Sequence, residues 1–180
     1  IRSCLVGSEM CIRDSDTGFG SGGDFDAGRA IILPYLKTIG VAKLDGVIVS
    51  HGDSDHSGGL RSILNQIEVK QLILSGSARD EVDAAAYRDC QAGDEWLVDG
   101  VTFQVLHPAS KQYASENDYS CVVKVIGMSP ISDISNASLL LTGDISHRVE
   151  RQLVSERGNQ LASSLLSVSY THLTLPTSPK

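Results

Sequence analysis

Between Ser50 and Leu60 the chain reads SHGDSDHSGGL, which sets two imidazoles and two carboxylates within six positions, ahead of two glycines. His51 and His56 offer ring nitrogens; Asp53 and Asp55 offer carboxylate oxygens. Groups of these types crowded together repel or desolvate one another unless a cation holds them. A calcium loop fits the first half of the stretch through Asp53, Asp55, Ser57 and Gly58. Its twelfth position, however, falls on Leu64, where a bidentate Glu is required. A solvated polar loop accounts for Asp-Ser-Asp but not for the flanking histidines. We therefore read His51, Asp53, Asp55 and His56 as candidate metal ligands, with Gly58 and Gly59 letting the backbone turn sharply behind them.

The segments around this stretch form a mixed pattern of strands and helices. LDGVIVS is a short buried strand feeding the histidine loop, and LRSILNQI is a short helix after it. FDAGRAIILPYLKTIG reads as a helix stopping at Gly40, with Pro34 marking its start or a kink. VKQLILS is a second strand and ARDEVDAAAYRDC a helix. EWLVDGVTFQVLHP reads as two strands joined at Asp99-Gly100, a hairpin signal. YSCVVKVIGM and ASLLLTGD are further strands, parted by a Ser-rich loop. SHRVERQLVSERGN is a helix, and LASSLLSV a last strand.

Other residues that could do chemistry sit at the ends of these elements. Asp144 closes the apolar strand of LLLTGD. DTG at Asp16 also occurs in aspartic proteases, but a second copy and its flanking strands are lacking. GFGSGG matches Gly-x-Gly-x-x-Gly at Gly18, Gly20 and Gly23; no helix opens at once after it, so a nucleotide cofactor is not expected. His107 and His147 read as ordinary turn or surface residues.

The 180 residues suffice for one domain with a real core. Hydrophobic content of 41% with 21% charged residues is that of a soluble globular chain. No apolar run approaches the roughly 18 residues of a membrane span. The net charge of -7 argues against a generally basic nucleic-acid surface, although a bound metal can still attract phosphates. The four cysteines, Cys4, Cys11, Cys90 and Cys121, show no Cys-x-x-Cys spacing and make no case for a disulfide framework or a thiolate zinc site.

The two ends stand apart. Met10 to Asp14 can be written ATG TGT ATA AGA GAC, whose reverse complement encodes Val-Ser-Tyr-Thr-His, the residues found at Val168 to His172. Both ends resemble translated sequencing-adapter read-through. Residues 1-15 and 168-180 are accordingly expected to be non-native, leaving 16-167 as the domain and giving His172 no functional standing.

His-x-Asp-x-Asp-His-x-Gly-Gly after a strand resembles the metallo-β-lactamase fold superfamily, whose usual motif is His-x-His-x-Asp-His; here Asp53 stands at the second histidine. With DTGFGSGGDFDAG, LPYL, VLHP, ENDYS and LLLTGD, the chain resembles the C-terminal hydrolase-like domain of ComEC-type DNA-internalisation competence proteins over nearly all of residues 16-167. The resemblance implies an α/β fold, a metallo-β-lactamase-like αββα sandwich truncated at both ends. It implies two divalent ions held by His51, Asp53, Asp55, His56 and a bridging Asp144, with Asp55 the catalytic carboxylate. Asp16, Asn117, Asp118 and Ser120 would support the site or touch substrate. One oxygen in place of nitrogen favours Mn²⁺ or Mg²⁺ more than an all-histidine set would, and zinc also accepts Asp. Two ions about 3.5–4 Å apart suit in-line phosphodiester hydrolysis. The implied partners are DNA and the membrane-channel portion of the same parent chain. The implied setting is a bacterial cell membrane, with this domain itself soluble. The family's later PHHGS-type turn has no counterpart before the suspected foreign text. Two rival classes are a thioesterase- or lactonase-type small-molecule hydrolase and a metal-dead binding domain of a membrane transporter.

Overall fold

The structure, a computed structural model, describes residues 3–7, 11–20, 25–109, 112–127 and 137–167, with side chains from Asp16 onward. In chain order the strands are β1 (Ser3–Gly7), β2 (Cys11–Ser15), β3 (Lys43–Leu44), β4 (Gly46–Val49), β5 (Glu68–Val69) and β6 (Leu72–Leu74). They continue with β7 (Arg88–Asp89), β8 (Glu95–Val98), β9 (Val101–His107), β10 (Val122–Gly127), β11 (Ser138–Leu141) and β12 (Leu165–Ser167). The helices are α1 (Leu33–Thr38), α2 (Ser54–Ser57), α3 (Leu60–Gln66) and α4 (His147–Arg157). One sheet has the order β1-β2-β4-β6-β7, a second the order β12-β11-β10-β9-β8, and β3 pairs with β5.

Strand periodicity sorts the apolar side chains into layers. In β4, Val47 and Val49 face a cluster with Ile32, Leu36, Leu60 and Ile63 from the α1 and α3 segments, while Ile48 faces the other way. Ile48 and Ile73 meet Phe103, Val105, Val123 and Val125 between the two sheets. On the far side of the second sheet, Leu106, Val122 and Leu140 pack against Val149 and Leu153 of α4. The result is helices, sheet, sheet, helix: the αββα sandwich expected from the sequence.

Pro34 takes one of the first two positions of α1. Its missing N–H cannot continue a helix ladder. The chain before it, Gly28–Ile32, winds as a wider π-type turn, with Leu33 N donating to Gly28 O. Asp99 and Gly100 form the two-residue hairpin between β8 and β9. Their φ values are 48° and 78°. Two expectations need correction. ARDEVDAAAYRDC is not an α-helix: a 3₁₀ turn at Gly76–Glu81 gives way to β7, which pairs with β6. Its apolar residues do recur at helical spacing, at Ala78, Val82 and Ala85, but tertiary pairing with β6 overrides that local preference. Cys90 N donates to Leu74 O, holding the end of the segment extended. The cysteines also pair, since Cys90 and Cys121 form a disulfide across a 6.0 Å Cα separation. Both are buried between the sheets.

The backbone of β2 lies parallel to β4, with Asp14 opposite Val47, so part of the segment expected to be foreign fills the slot beside that strand. Ladder bonds of this kind use backbone groups alone and are indifferent to the origin of the sequence. Residues 168–180 with His172, Gly23 of the glycine-rich loop, and 128–136 of the Ser-rich loop lie outside the described residues. Among the described residues, no helix is long and apolar enough to cross a membrane.

Candidate metal centre

Chain ends from both sheets meet at one rim of the sandwich. β4 runs out into Ser50 and His51, and β11 into Thr142, Gly143 and Asp144. Cys121, just before β10, donates its N–H to Ser50 O and ties the two sheets together there. Gly143 adopts φ 54°, and a Cβ on it would press on both Ser120 and Ser50. This position therefore favours glycine twice over. Gly58 and Gly59 work differently from expectation. Neither has positive φ. A Cβ on Gly58 would overlap Gly20, and one on Gly59 would overlap Thr17 O and Gly28. They permit close backbone approach behind the site rather than a sharp turn.

His51, His56 and Asp144 each direct one donor atom to a common point, all within 4.8 Å of one another. His51 is fully buried, with Nδ1 3.0 Å from Ser50 Oγ and 3.4 Å from Ser120 Oγ. Its Nε2 has no hydrogen-bond partner among the described residues and lies 3.4 Å from Asp53 Oδ2. His56 Nε2 is 3.4 Å from Asp144 Oδ1 and 3.7 Å from Asp55 Oδ2. On the other edge of that ring, Nδ1 donates to Asp16 Oδ2 at 3.0 Å, while Asp16 Oδ1 accepts from Ser50 N at 2.7 Å. Asp16 adopts φ 66° at the point where the chain leaves β2. Such a conformation is uncommon outside glycine. Of the five expected ligands, His51, His56 and Asp144 share one donor point and the Asp53 and Asp55 carboxylates adjoin it, while Asp16 fixes the orientation of His56. Asp144 is buried, whereas Asp53 and Asp55 are well exposed.

This arrangement attracts cations. Burial alone would lower the His56 pKa, but the hydrogen bonds and charges of Asp144 and Asp16 outweigh it and raise the pKa to about 10. Without another cation, the carboxylates draw a proton onto the ring. A buried imidazole nitrogen with no hydrogen bond, set among carboxylates, is also the donor chemistry of a divalent ion site. The residues present fit such an ion.

The supporting residues divide. Ser120 is buried at the centre, its Oγ accepting from Asp144 N at 3.0 Å. Asn117 sits in the short turn Asn117–Tyr119 ahead of β10. The Asp118 carboxylate pairs with Arg148 rather than with the ligand cluster, its Oδ2 accepting from Arg148 Nη2 at 2.8 Å. Burial pushes the Asp118 carboxyl up, but the nearby Ser146 hydroxyl and the Arg148 guanidinium outweigh this and hold it below its ordinary value. His107 is not a surface residue: it is buried, and its Nε2 donates to Asp118 O at 2.8 Å. Burial lowers its pKa and favours the neutral ring. His147 is exposed beside Glu150, as expected of a surface residue.

Glu116 escaped the sequence reading. Its Oε1 accepts from Gly52 N at 2.8 Å, from Ser77 N at 2.6 Å and from Ser77 Oγ at 3.0 Å. It thereby pins the loop between His51 and Asp53 to the start of the 3₁₀ turn after β6. The only signal was its place at the head of ENDYS, and nothing local distinguishes it from a surface acid.

The family model described as Metallo-beta-lactamase superfamily matches residues 16–171. Competence protein ComA of Neisseria gonorrhoeae is 33% identical over 150 residues, covering 82% of this chain and 20% of that protein. Recombination protein 2 of Haemophilus influenzae is 34% identical over 120 residues, covering 67% of this chain and 14% of that protein. The chain thus spans a fifth or less of the length of these curated relatives. Among solved structures, Rm3 metallo-beta-lactamase aligns with a TM-score of 0.61 at 14% identity, covering 92% of this chain and 70% of that one. At that identity the likeness is one of fold alone.

Proposed function

We propose that this chain, which belongs to the metallo-beta-lactamase superfamily, is the metal-dependent phosphodiesterase domain of a competence-type DNA-uptake protein. The carrying observation is the convergence of the His51, His56 and Asp144 donor atoms within 4.8 Å, with the Asp53 and Asp55 carboxylates adjoining. His51 and Asp53 would hold one divalent ion, Asp55 and His56 a second, and Asp144 would lie between them. The oxygen-rich donor set favours manganese, with zinc or magnesium as alternatives. When bound, such ions supply Lewis-acid polarisation of a phosphodiester and activation of water.

The chain's own residues do the rest. Asp16 holds His56 Nδ1, so that Nε2 faces Asp144. Ser50 and Ser120 hold His51 Nδ1. Asp55, exposed at the rim, would take the proton of a water attacking phosphorus. The DNA substrate and a membrane-bound parent are supported by relatives named as competence and recombination proteins.

The test is metal content by mass spectrometry, followed by cleavage assays on DNA and on thioester and lactone panels. Bound divalent metal with Mn²⁺-stimulated, chelator-sensitive DNA cleavage is the expected result. Brisk thioester or lactone hydrolysis without DNA cleavage would assign the chain to a small-molecule hydrolase. Failure to bind any divalent metal would make it a binding domain.

A further inference from the structure

The turn that leads into β10 carries Ser120, whose Oγ accepts from Asp144 N at 3.0 Å and lies 3.4 Å from His51 Nδ1. The position of this turn therefore bears on two of the candidate ligands. The turn enters the second sheet, yet four ties reach from it to the first. Glu116 Oε1 accepts from Gly52 N at 2.8 Å. Tyr119 O accepts from Ser75 Oγ at 2.6 Å. Cys121 N donates to Ser50 O at 2.8 Å, and Ser50 Oγ lies 3.0 Å from His51 Nδ1 and 3.3 Å from His56 Nδ1. The fourth tie is covalent. Cys121 is bonded to Cys90, which follows β7 in the first sheet and is anchored there by its N–H, donated to Leu74 O at 2.9 Å.

Of these ties, the bridge is the one whose state electron transfer can change. Its two residues, 4% and 2% exposed, sit in one cluster with Ile48, Ile73, Val105 and Val123. In so closely packed an interior two unbonded thiols need more room than a bonded pair, so opening the bridge presses the end of β7 and the turn apart. That displacement falls on the residues next to Ser50 and Ser120. A reductant has an approach from one side, where Cys90 lines a partly open cavity with Gln91, Pro108 and Tyr119.

We infer that the Cys90–Cys121 bridge is a redox control on the metal centre. Closed, it holds Ser50 and Ser120 where His51, His56 and Asp144 share one donor point; opened by a dithiol reductant, it lowers the affinity of that point for a divalent ion. In the exchange, one thiolate of the dithiol attacks Cys90 Sγ, the bond to Cys121 breaks, and Cys121 leaves as a thiolate that takes up a proton. The second thiolate of the reductant then attacks its own partner sulfur in the mixed disulfide and releases Cys90 as the second thiol. Two electrons and two protons pass to the bridge, and the dithiol ends as a cyclic disulfide. The inference rests on the reading of this centre as a divalent-ion site.

The test is calorimetric titration with Mn²⁺ of the whole chain in two states, oxidised, and reduced by dithiothreitol that is then removed under anaerobic conditions. Cys90→Ser with Cys121→Ser is titrated alongside. The reduced chain should bind Mn²⁺ about tenfold more weakly, the low end of the usual cost of disturbing groups that orient ligands. The double variant should match the reduced chain and ignore reductant. It retains Cys4 and Cys11, so its indifference assigns the response to the bridge. In metal-free protein, hydrogen exchange at the Cys121 amide should quicken about tenfold on reduction, because its bond to Ser50 O opens more often. Equal Mn²⁺ affinity in the two states overturns the inference and shows that the three hydrogen-bonded ties hold the turn unaided. Loss of the folded circular dichroism signal on reduction also overturns it, since the bridge is then a staple of the fold rather than a control on the site. A response to reductant that persists in the double variant does the same. Absence of Mn²⁺ binding in both states would remove the metal-site reading itself and the inference with it, so the two failures are told apart.

Discussion

Glu116 shows how much of this site depends on a side chain that touches none of the expected ligands. One carboxylate oxygen accepts three hydrogen bonds from two separate loops. Glu116→Ala should therefore loosen the backbone between His51 and Asp53 and weaken Mn²⁺ binding by about 10–100-fold, the usual cost of losing a group that orients ligands. Glu116→Gln keeps an acceptor oxygen and should lose less than tenfold. Calorimetric titration of both variants decides this, and parental affinity in the alanine variant would reduce Glu116 to a surface acid. Asp118 makes a contrasting prediction, in pH. Its native pKa lies below the ordinary 3.8, so its carboxylate stabilises the fold fully above that value. The contribution is lost as pH falls from the ordinary value through the lower native one. Asp118→Asn should be less stable at neutral pH and show a flatter acid limb in denaturant melts. An unchanged acid limb would mean that the Arg148 pair carries no net stabilisation. At this scale the sequence was legible where chemistry is dense: His51, Asp53, Asp55 and His56 stand out by type and spacing, whereas Asp144 entered only through the family resemblance. Asp118 and Glu116 share one short motif, and only the fold decides that the first turns to Arg148 and the second to Gly52.

At the scale of elements, the strands were readable because burial on a sheet repeats every two residues. Val47, Ile48 and Val49 already encode which layer each side chain enters. The segment after β6 reads as helix in sequence, because its alanines favour one, but its conformation is set from outside by pairing with β6. Cys90 ends that segment, and Cys121 lies just before β10, next to Ser120 in the metal centre. Cysteine spacing in sequence cannot reveal a pair brought together by two different sheets. The bridge closes a separation of 31 residues. For a loop of that size chain-entropy reasoning gives roughly 3–4 kcal/mol. Cys90→Ser with Cys121→Ser should lower unfolding free energy by about 2–4 kcal/mol, and treatment of the parent with reductant should match it. Denaturant melts with and without reductant check both. Coincident curves for parent and variant would show that the thiols stay unpaired in solution.

Across the whole molecule, the site is assembled from parts far apart in the chain, with Asp16 at one end of the described domain and Asp144 near the other. It is therefore only as sound as the sandwich that aligns the two sheets. In the first sheet β2 lies between β1 and β4, joined to both through backbone pairing, and lies within the segment whose sequence we propose to be foreign. This leads to a graded prediction for trimming. Removing residues 1–10 and 168–180 should leave unfolding free energy within about 1 kcal/mol, the scale of ordinary surface changes. Extending the cut through Ser15 should cost more, because β4 loses its ladder partner and the backbone beside Asp16 loses its anchor. Replacing Cys11–Ser15 by another strand-forming pentapeptide should restore most of that loss, since the pairing does not read side chains. Melts of the three variants order them. Failure of the replacement to rescue would show that the native side chains of this strand matter and that the segment belongs to the domain. Activity follows the same logic at the other end. If residues 168–180 stand where native chain should continue, this protein should cleave DNA weakly even at saturating Mn²⁺, and a version completed from its genomic reading frame should cleave it well. In the completed form, Asp55→Ala should be far more damaging than Asp118→Ala, because Asp55 faces the ligand cluster while Asp118 faces Arg148. Equal, robust cleavage by the present and completed proteins would mean that the five proposed ligands suffice and that no later ligand is needed.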